Sequence, residues 1–301
     1  MDEKGSSKEK LIENINITNK VRNNLRSPDQ VLTKETGEKL LCCCLDYDLT
    51  ISEYKSFVDL KKKVILSFDE KNPSHELSLQ QLFNKSKNIL YKNKDKEKDE
   101  QLSNNTTNTL TTKGTSNNNI SEEDVLIWRK IGFQTSNPRT DFRAGGIFSL
   151  DLMNYFANNH ENEFTNIINE DYFTFALVCI RLSYLIRIYL FLLPPEEIKI
   201  NVKYQKNILA TRKELKHFCY FLWDNGNLLL DIASITLGFI YQKFVEKKKS
   251  SNKESNYLII DPIITSSIQC IKNALSNANI YEDIIFKLKN IFRENFLYSL
   301  K

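Results

Sequence analysis

The chain has 301 residues, with 42 Lys plus Arg against 38 Asp plus Glu and a formal net charge of +4. This balance lacks the strongly basic surface typical of a dedicated nucleic-acid-binding protein, so we expect no nucleic-acid partner. Only eight Gly and six Pro are present, and 41% of the residues are hydrophobic. This composition favours long helices over turn-rich β architecture. Together with the helical patterns along the chain it predicts an all-α protein, a single domain of about ten helices.

The N-terminal half predicts a polar tail and then the start of a helical domain. Residues 1–36 are polar, and the domain is expected to run from residue 37 to residue 301. Helical patterns over 38–68 and 75–91 are separated by a break at Asn72 and Pro73, with Ser74 as the predicted N-cap of the second helix. Residues 92–120, rich in Asn and Lys, predict a disordered insertion that interrupts the domain without dividing it.

After residue 156 the chain again shows helical patterns. Helices are predicted over 164–168, 172–193, 263–274 and 281–297, and a long helical run is predicted over 211–247. Asn225 and Gly226 offer a point at which that run can break, and Pro194 with Pro195 is expected to end the helix over 172–193.

Two stretches, 172–193 and 228–244, are apolar enough to resemble membrane spans. They contain Arg181, Arg187 and Asp231, and a charge at mid-span costs about 2.5 to 3.5 kcal/mol on insertion scales. We therefore predict buried core helices and no transmembrane segment, which leaves room for peripheral membrane contact.

The cysteines and the N-terminus bear on location and metal binding. Six Cys and three His occur without any Cys-x-x-Cys pair, so no structural zinc is expected. The first ten residues have no apolar core of a signal peptide, and Asp2 stands where myristoylation needs Gly. We expect a cytoplasmic protein with reduced thiols. Cys42, Cys43 and Cys44 lie among apolar residues; burial is favoured, and palmitoylation is the alternative.

The segment from residue 128 to 156 reads WRKIGFQTSNPRTDFRAGGIFSLDLMNYF. Neither a helix nor a strand period explains its fixed order of aromatic, polar and Gly residues, so something besides packing constrains it. Its candidate functional residues are Trp128, Gly132, Phe133, Gln134, Pro138, Thr140, Asp141, Phe142, Arg143, Gly145 and Gly146.

Most of these residues have a structural interpretation. The three aromatic side chains are expected in the core, because aromatics bury large areas. The glycines mark positions of positive φ or of close approach by another surface. Thr140 or Asp141 is suited to cap the helix that carries residues 147–156, and the Gln134 amide is expected to hydrogen-bond to the loop backbone rather than to orient water. Considered by itself, Arg143 is best explained by an ion pair with Asp141 or an anion contact.

This segment resembles the signature of the ELMO domain. In that family the pattern runs Trp, three residues, Gly-Phe-Gln, three residues, Pro, one residue, Thr-Asp-Phe-Arg-Gly, one residue, Gly, then leucines and a closing Tyr-Phe. The chain meets nearly every position, ending with Tyr155 and Phe156. It departs at Ala144, where the family has Gly, and at Phe148 and Ser149, where the family has Leu and Gly. A fainter likeness covers residues 40–91.

The resemblance changes the interpretation of Arg143. Members of the ELMOD branch look like GTPase-activating proteins for Arf and Arf-like GTPases, with the arginine of Thr-Asp-Phe-Arg as their proposed catalytic group. The branch found in larger ELMO scaffolds departs at this position, so the presence of Arg143 favours the ELMOD branch. The remaining candidate residues would support the motif or contact the GTPase.

The implied partner is a GTP-bound Arf or Arf-like GTPase, and the implied setting is membrane traffic. The nucleotide and magnesium would belong to that partner, so the chain itself is expected to need no cofactor. It would regulate hydrolysis by another protein rather than hold a substrate in a pocket of its own. The alternative is a non-catalytic module that binds a GTPase or scaffold, with Arg143 stabilising its own loop.

Overall fold

The computed structural model describes residues 49–99, 121–170, 172–194, 197, 208–250, 256–278 and 283–298. Within these ranges the regular elements are ten α-helices and one 3₁₀ helix, which confirms the predicted all-α fold. In chain order the α-helices are α1 Ile51–Val64, α2 Pro73–Asp99, α3 Glu122–Ile131, α4 Gly146–Asn159, α5 Glu161–Asn169, α6 Phe175–Tyr189, α7 Arg212–Asp224, α8 Leu228–Ser250, α9 Asn256–Asn277 and α10 Ile284–Tyr298. The 3₁₀ helix, Pro138–Arg143, lies between α3 and α4.

Some sequence predictions fall outside the described residues, namely those for residues 1–48, including the three consecutive cysteines, and for residues 100–120. The predicted start of the insertion at residue 92 is too early, because α2 continues to Asp99. Lys and Glu are good helix formers, so a sequence rich in them can extend a helix. The predicted cap at Ser74 is also wrong. Asn72 Oδ1 accepts a hydrogen bond from Ser74 N at 3.0 Å, and the helix begins at Pro73.

Two later helix boundaries also differ from the sequence prediction. Helix α6 ends at Tyr189, before the prolines, because Phe191 adopts φ 56° and Leu192 N donates to Arg187 O at 2.8 Å. That closure ends a helix without proline. Helix α9 starts at Asn256 and contains Pro262, whereas the sequence predicted a start at residue 263.

Two compact units share these elements, and the one that holds the 128–156 segment is called here the motif unit. It comprises Val64–Ile186 and Ala233–Thr265. Within it α2 packs against α3, α4 and α5, and α4 also packs against α5 and the 3₁₀ helix. Ser121 caps α3 by accepting a hydrogen bond from Asp124 N at 3.1 Å. The capped helix therefore positions the first half of the segment against α2.

The second unit contains the described residues of Met1–Lys63, Arg187–Ile232 and Ser266–Lys301. Thr211 and Glu214 form a capping box at the start of α7, which satisfies two main-chain donors. Glu214 is buried, and it also accepts hydrogen bonds from Tyr189 Oη at 3.1 Å and from Ser276 Oγ at 2.5 Å. The carboxylate thus ties the start of α7 to the ends of α6 and α9.

One helix in the described part of the chain is long and apolar enough to span a membrane. It covers Leu228–Lys249 with a mean hydropathy of 1.5, and 61% of its most apolar stretch is buried inside the protein. A core helix of a soluble protein has these same properties, which agrees with the interpretation of residues 228–244 as a buried helix.

Candidate functional site: the loop and 3₁₀ helix around Arg143

A row of aromatic rings joins the two halves of the motif. Trp128 packs on Phe83 at a centroid distance of 4.8 Å and meets Phe133 edge-on at 5.4 Å. Phe133 meets Phe142 at 5.6 Å, and Phe142 stacks on Phe68 at 5.0 Å. The three motif rings are buried, which is the packing role expected for aromatic residues. Edge-on and offset pairs stabilise beyond their buried area, so this row holds the loop between residues 133 and 142 against the core.

Gly132 ends α3 in a conformation that other residues rarely adopt. Its φ is 96°, and its N–H donates to Arg129 O at 2.9 Å. A Cβ at this position would lie 2.7 Å from main-chain atoms of Thr174 and Phe175. Positive φ and close main-chain approach both require Gly here, so both alternatives proposed from the sequence apply.

The loop from residue 134 to 137 is closed by its own polar groups. Asp141 Oδ2 accepts a hydrogen bond from Gln134 N at 2.7 Å. Thr135 and Thr140 hydroxyls lie 2.9 Å apart, and both donate to Asn137 O, at 2.7 and 2.9 Å. The Asn137 side chain caps the 3₁₀ helix through Arg139 N, and buried Pro138 occupies the first turn.

The capping role predicted for Thr140 or Asp141 is therefore wrong. Helix α4 follows Gly145 without any side-chain cap. Its Ile147 N–H is instead satisfied by Leu66 O at 2.9 Å, a tertiary contact that no local pattern reveals. The Asp141 carboxylate instead closes the preceding loop, where it accepts the Gln134 N–H.

The Gln134 side chain also differs from the prediction. It is exposed and forms no hydrogen bond to any residue in the described part of the chain, whereas its main-chain N–H binds Asp141. The sequence correctly placed Gln134 in loop hydrogen bonding but assigned the wrong group. Its amide is left facing solvent, where a partner could reach it.

Arg139 is a structural arginine that the sequence analysis missed. Its Nε donates to Glu76 Oε1 at 2.7 Å and its Nη2 to Glu76 Oε2 at 2.5 Å. This bidentate pair raises the pKa of Arg139, mainly through the hydrogen bonds. Because Glu76 lies on α2, the pair fastens the 3₁₀ helix to that helix.

Arg143 lies at the opposite end of the same 3₁₀ helix and behaves differently. Its side chain is exposed, and no ion pair or hydrogen bond joins it to any other residue that the structure describes. The Asp141 carboxylate, its expected partner, is used by the Gln134 N–H instead. The preceding residue, Phe142, is only 1% exposed. The guanidinium therefore extends from an anchored backbone and is available to bind an anion.

The residues after Arg143 are small and closely packed. A Cβ on Gly145 would lie 2.4 Å from Ser149 Oγ, so close approach explains the Gly at this position, and Gly146 has φ 59°. Ala144 adopts right-handed helical angles, φ −85° and ψ −37°, and its side chain is exposed. Its methyl group therefore causes no backbone strain and is presented at the surface beside Arg143.

Two exposed apolar side chains lie on the chain segment that contacts Ile147 and Phe142, and the sequence did not reveal them. Ile65 is 41% exposed and Leu66 is 51% exposed. The main chain of Leu66 is fixed by its bond to Ile147 N, and Phe68 stacks on Phe142. These contacts place the pair next to the segment that carries Arg143. We call Ile65, Leu66, Gln134, Arg143 and Ala144 the Arg143 surface.

The described residues contain no cluster of three or more His, Cys, Asp or Glu that could hold a metal ion. Cys179, Cys219 and Cys270 are buried. Burial raises the pKa of each of these thiols, so all three are held in the unreactive protonated form.

Comparison with known proteins gives several matches. The model of the ELMO/CED-12 family matches residues 58–294. The chain is 50% identical over 42 residues to ELMO domain-containing protein A of Dictyostelium discoideum. The aligned region covers 14% of this chain and 4% of that protein. It is 28% identical over 144 residues to ELMO domain-containing protein 2 of Mus musculus, covering 44% and 47% of the two chains. For the Homo sapiens protein of the same name, 29% identity extends over 106 residues, 32% of this chain and 34% of that protein. No solved structure gives a significant match.

The fold and the motif together define an all-α domain that presents an arginine from a short 3₁₀ helix. Because the family match covers most of the chain, the protein belongs to the ELMO/CED-12 family. The relatives named ELMO domain-containing protein 2 confirm the ELMOD type expected from the motif. The aligned regions span less than half the length of each of these relatives.

Proposed function

We propose that this protein is a GTPase-activating protein for a GTP-bound Arf or Arf-like small GTPase and that Arg143 is supplied in trans as an arginine finger. The observation that carries the proposal is the exposed guanidinium of Arg143, which has no ion-pair partner among the described residues, on a backbone anchored by Phe142. A structural arginine would be paired, as Arg139 is with Glu76. An arginine that acts on another protein is expected to have an exposed guanidinium without an ion-pair partner among the described residues, as Arg143 has.

The chemistry is transfer of the γ-phosphoryl group of GTP to water. Negative charge spreads over the transferring group and moves toward the leaving oxygen. The planar guanidinium offers several donors in a rigid fork, whereas a lysine offers one flexible point charge. An arginine finger typically accelerates hydrolysis about 10³- to 10⁵-fold, or lowers the barrier by roughly 4 to 7 kcal/mol. The nucleotide and magnesium are provided by the GTPase.

The other residues of the Arg143 surface would form the contact around the finger. A positive charge stabilises a transition state most strongly where water is excluded. The apolar side chains of Ile65 and Leu66 would exclude water on one side, and the Gln134 amide could contact the partner's polar groups. The protein would act in the cytoplasm, at a membrane surface where Arf-type GTPases take part in traffic.

The test is single-turnover GTP hydrolysis by a panel of Arf and Arf-like GTPases, with the wild-type protein, Arg143→Lys and Arg139→Lys side by side. We expect wild type to accelerate hydrolysis by at least one GTPase and Arg143→Lys to lose about 10³-fold of that acceleration with unchanged thermal stability. Arg139→Lys, the matched control, keeps a positive charge opposite Glu76 but loses the bidentate geometry. It should therefore lower stability modestly, hold the 3₁₀ helix in place and retain most of the stimulated rate.

The opposite pattern would support the non-catalytic alternative. Unfolding of Arg143→Lys would mean that Arg143 stabilises its own loop. Binding of a GTPase without any acceleration of hydrolysis would mean that the chain is a binding module. Ala144→Gly separates these cases further, because it restores the family residue at an exposed position. Acceleration that appears only with Ala144→Gly would show that the methyl group blocks the productive approach.

A further inference from the structure

Two of the candidate residues in the motif, Gln134 and Arg143, have side chains without a structural role. Both side chains are exposed, and neither forms a hydrogen bond or ion pair with any residue that the structure describes. The other candidates pack in the core, hydrogen-bond within the loop or occupy positions of close approach or positive φ: Trp128, Gly132, Phe133, Pro138, Thr140, Asp141, Phe142, Gly145 and Gly146. Packing therefore explains the rest of the motif, and a task outside the molecule is left to explain these two.

The two side chains leave the same anchored loop. Gln134 directly follows the buried Phe133. Arg143 directly follows Phe142, whose ring meets that of Phe133 at a centroid distance of 5.6 Å. The Gln134 main-chain N–H is bound to the Asp141 carboxylate at 2.7 Å, two residues before Arg143. These contacts fix both backbone positions on one rigid support, so a partner that meets the Arg143 guanidinium also meets the Gln134 amide.

Hydrolysis of GTP requires a second kind of group besides a cation. The attacking water and the leaving oxygen lie roughly in line on opposite sides of the γ-phosphorus. A guanidinium contains only hydrogen-bond donors, so it suits the negative phosphoryl oxygens but cannot accept a hydrogen bond from water. A glutamine amide both accepts and donates. Some GTPases use a glutamine of their own to orient the attacking water.

Gln134 is the one member of the Arg143 surface whose side chain can accept such a hydrogen bond, because the side chains of Ile65, Leu66 and Ala144 are apolar and Arg143 only donates. We propose that Gln134 is a second catalytic residue that orients the attacking water while Arg143 stabilises the transferring phosphoryl group. This inference rests on the proposed function.

The amide oxygen of Gln134 accepts a hydrogen bond from the water, and the amide N–H donates to a γ-phosphoryl oxygen. The water oxygen bonds to the γ-phosphorus as the bond to the β-phosphate oxygen breaks, which releases GDP. The proton of the water passes to the released phosphate. Gln134 itself neither gains nor loses a proton.

The experiment measures single-turnover GTP hydrolysis by the Arf or Arf-like GTPase that the wild-type protein accelerates, over a range of concentrations of this protein. Gln134→Ala should lower the maximal stimulated rate about 10²-fold, because the water is no longer held in line. The concentration for half-maximal stimulation and the thermal stability should stay near the wild-type values. Gln81→Ala, which removes an exposed glutamine from α2 of the same unit, is the matched control and should behave as the wild type.

A GTPase variant whose own water-orienting glutamine is changed to leucine separates orientation of water from simple contact. We expect the wild-type protein to accelerate hydrolysis by this variant and Gln134→Ala to leave it unaccelerated. The inference is overturned if Gln134→Ala retains the maximal rate, changes only the half-maximal concentration or has a lowered melting temperature, or if the wild type cannot accelerate the leucine variant.

Failure of this inference is distinct from failure of the proposed function. Acceleration that is lost with Arg143→Lys and retained with Gln134→Ala would overturn the role of Gln134 and leave GTPase activation intact. Absence of acceleration by the wild type, for every unmodified GTPase in the panel, would overturn both.

Discussion

The Asp141 carboxylate accepts a hydrogen bond from the Gln134 main-chain N–H at 2.7 Å. This contact joins the end of the Gly-Phe-Gln triplet to the middle of the Thr-Asp-Phe-Arg run. It also removes Asp141 from Arg143, since the carboxylate that could have neutralised the guanidinium is directed to the loop. The same bond therefore closes the loop and leaves Arg143 exposed.

The first prediction concerns that bond. Asp141→Ala leaves the Gln134 N–H without its charged acceptor, and we expect a loss of about 1 to 2 kcal/mol in the free energy of unfolding. The 3₁₀ helix also becomes less firmly positioned, so the stimulated rate of GTP hydrolysis should fall. Urea unfolding and single-turnover kinetics measure the two effects. Ser136→Ala, an exposed change in the same loop, is the control, and equal behaviour of the two variants would show that the bond contributes nothing.

The second prediction uses two glycines with different surroundings. Gly132→Ala would place a Cβ 2.7 Å from main-chain atoms at φ 96°, and we expect a loss of about 3 kcal/mol or more, or failure to fold. Gly226 has nothing within 4 Å of the corresponding Cβ position. Gly226→Ala should therefore be neutral or stabilise by about 0.4 to 1 kcal/mol. Thermal unfolding measures the stability of both variants. Similar melting temperatures would mean that the close approach at Gly132 is relieved at little cost.

The helical content, the buried aromatic residues and the special status of the glycines could be predicted because each depends on local sequence. Composition and periodicity act over a few residues, and Gly132 stands out because glycine adopts the positive φ of a helix end without steric cost. The motif over residues 128–156 also indicated the family, because its residue order is contained in one short segment. For these features the chain next to the residue contains enough information.

The remaining contacts depend on residues far apart in the chain. Arg139 and Glu76 are separated by 63 positions. Leu66, just after α1, accepts a hydrogen bond from Ile147 at the start of α4 and is even further away in the chain. Asp141 was expected to pair with Arg143 or to cap α4, and both expectations were reasonable from spacing. In the folded loop the Asp141 carboxylate accepts the Gln134 N–H instead, a partner that residue spacing does not indicate.

The third prediction tests the apolar part of the Arg143 surface. If Leu66 contacts the GTPase, Leu66→Ser should raise the concentration for half-maximal stimulation about tenfold, because apolar burial is lost. The maximal rate should stay the same, since Arg143 is untouched. Leu77→Ser, at a similarly exposed leucine, is the control. A fall in the maximal rate, or equal effects of both changes, would place Leu66 outside the interface.

The final prediction concerns pH and the buried pair Tyr189 and Glu214. Burial, followed by the nearby Glu214 carboxylate, raises the pKa of Tyr189 well above its usual value. An unfolded tyrosine loses its proton near pH 10, whereas the native one retains it. The unfolded state therefore binds fewer protons above pH 10, and the native state loses up to about 1.4 kcal/mol of stability per pH unit there. Below that pH the contribution of Tyr189 is constant.

Tyr189→Phe removes both the hydrogen bond to Glu214 and the titrating phenol. Relative to wild type it should be about 1 to 3 kcal/mol less stable at pH 8, and this deficit should shrink as the pH rises from 10 to 11. Ser276→Ala, which removes another donor to Glu214 without an alkaline titration, should show the same deficit at every pH. Urea unfolding between pH 8 and 11 measures both, and a Tyr189→Phe deficit independent of pH would mean that the native phenol titrates normally.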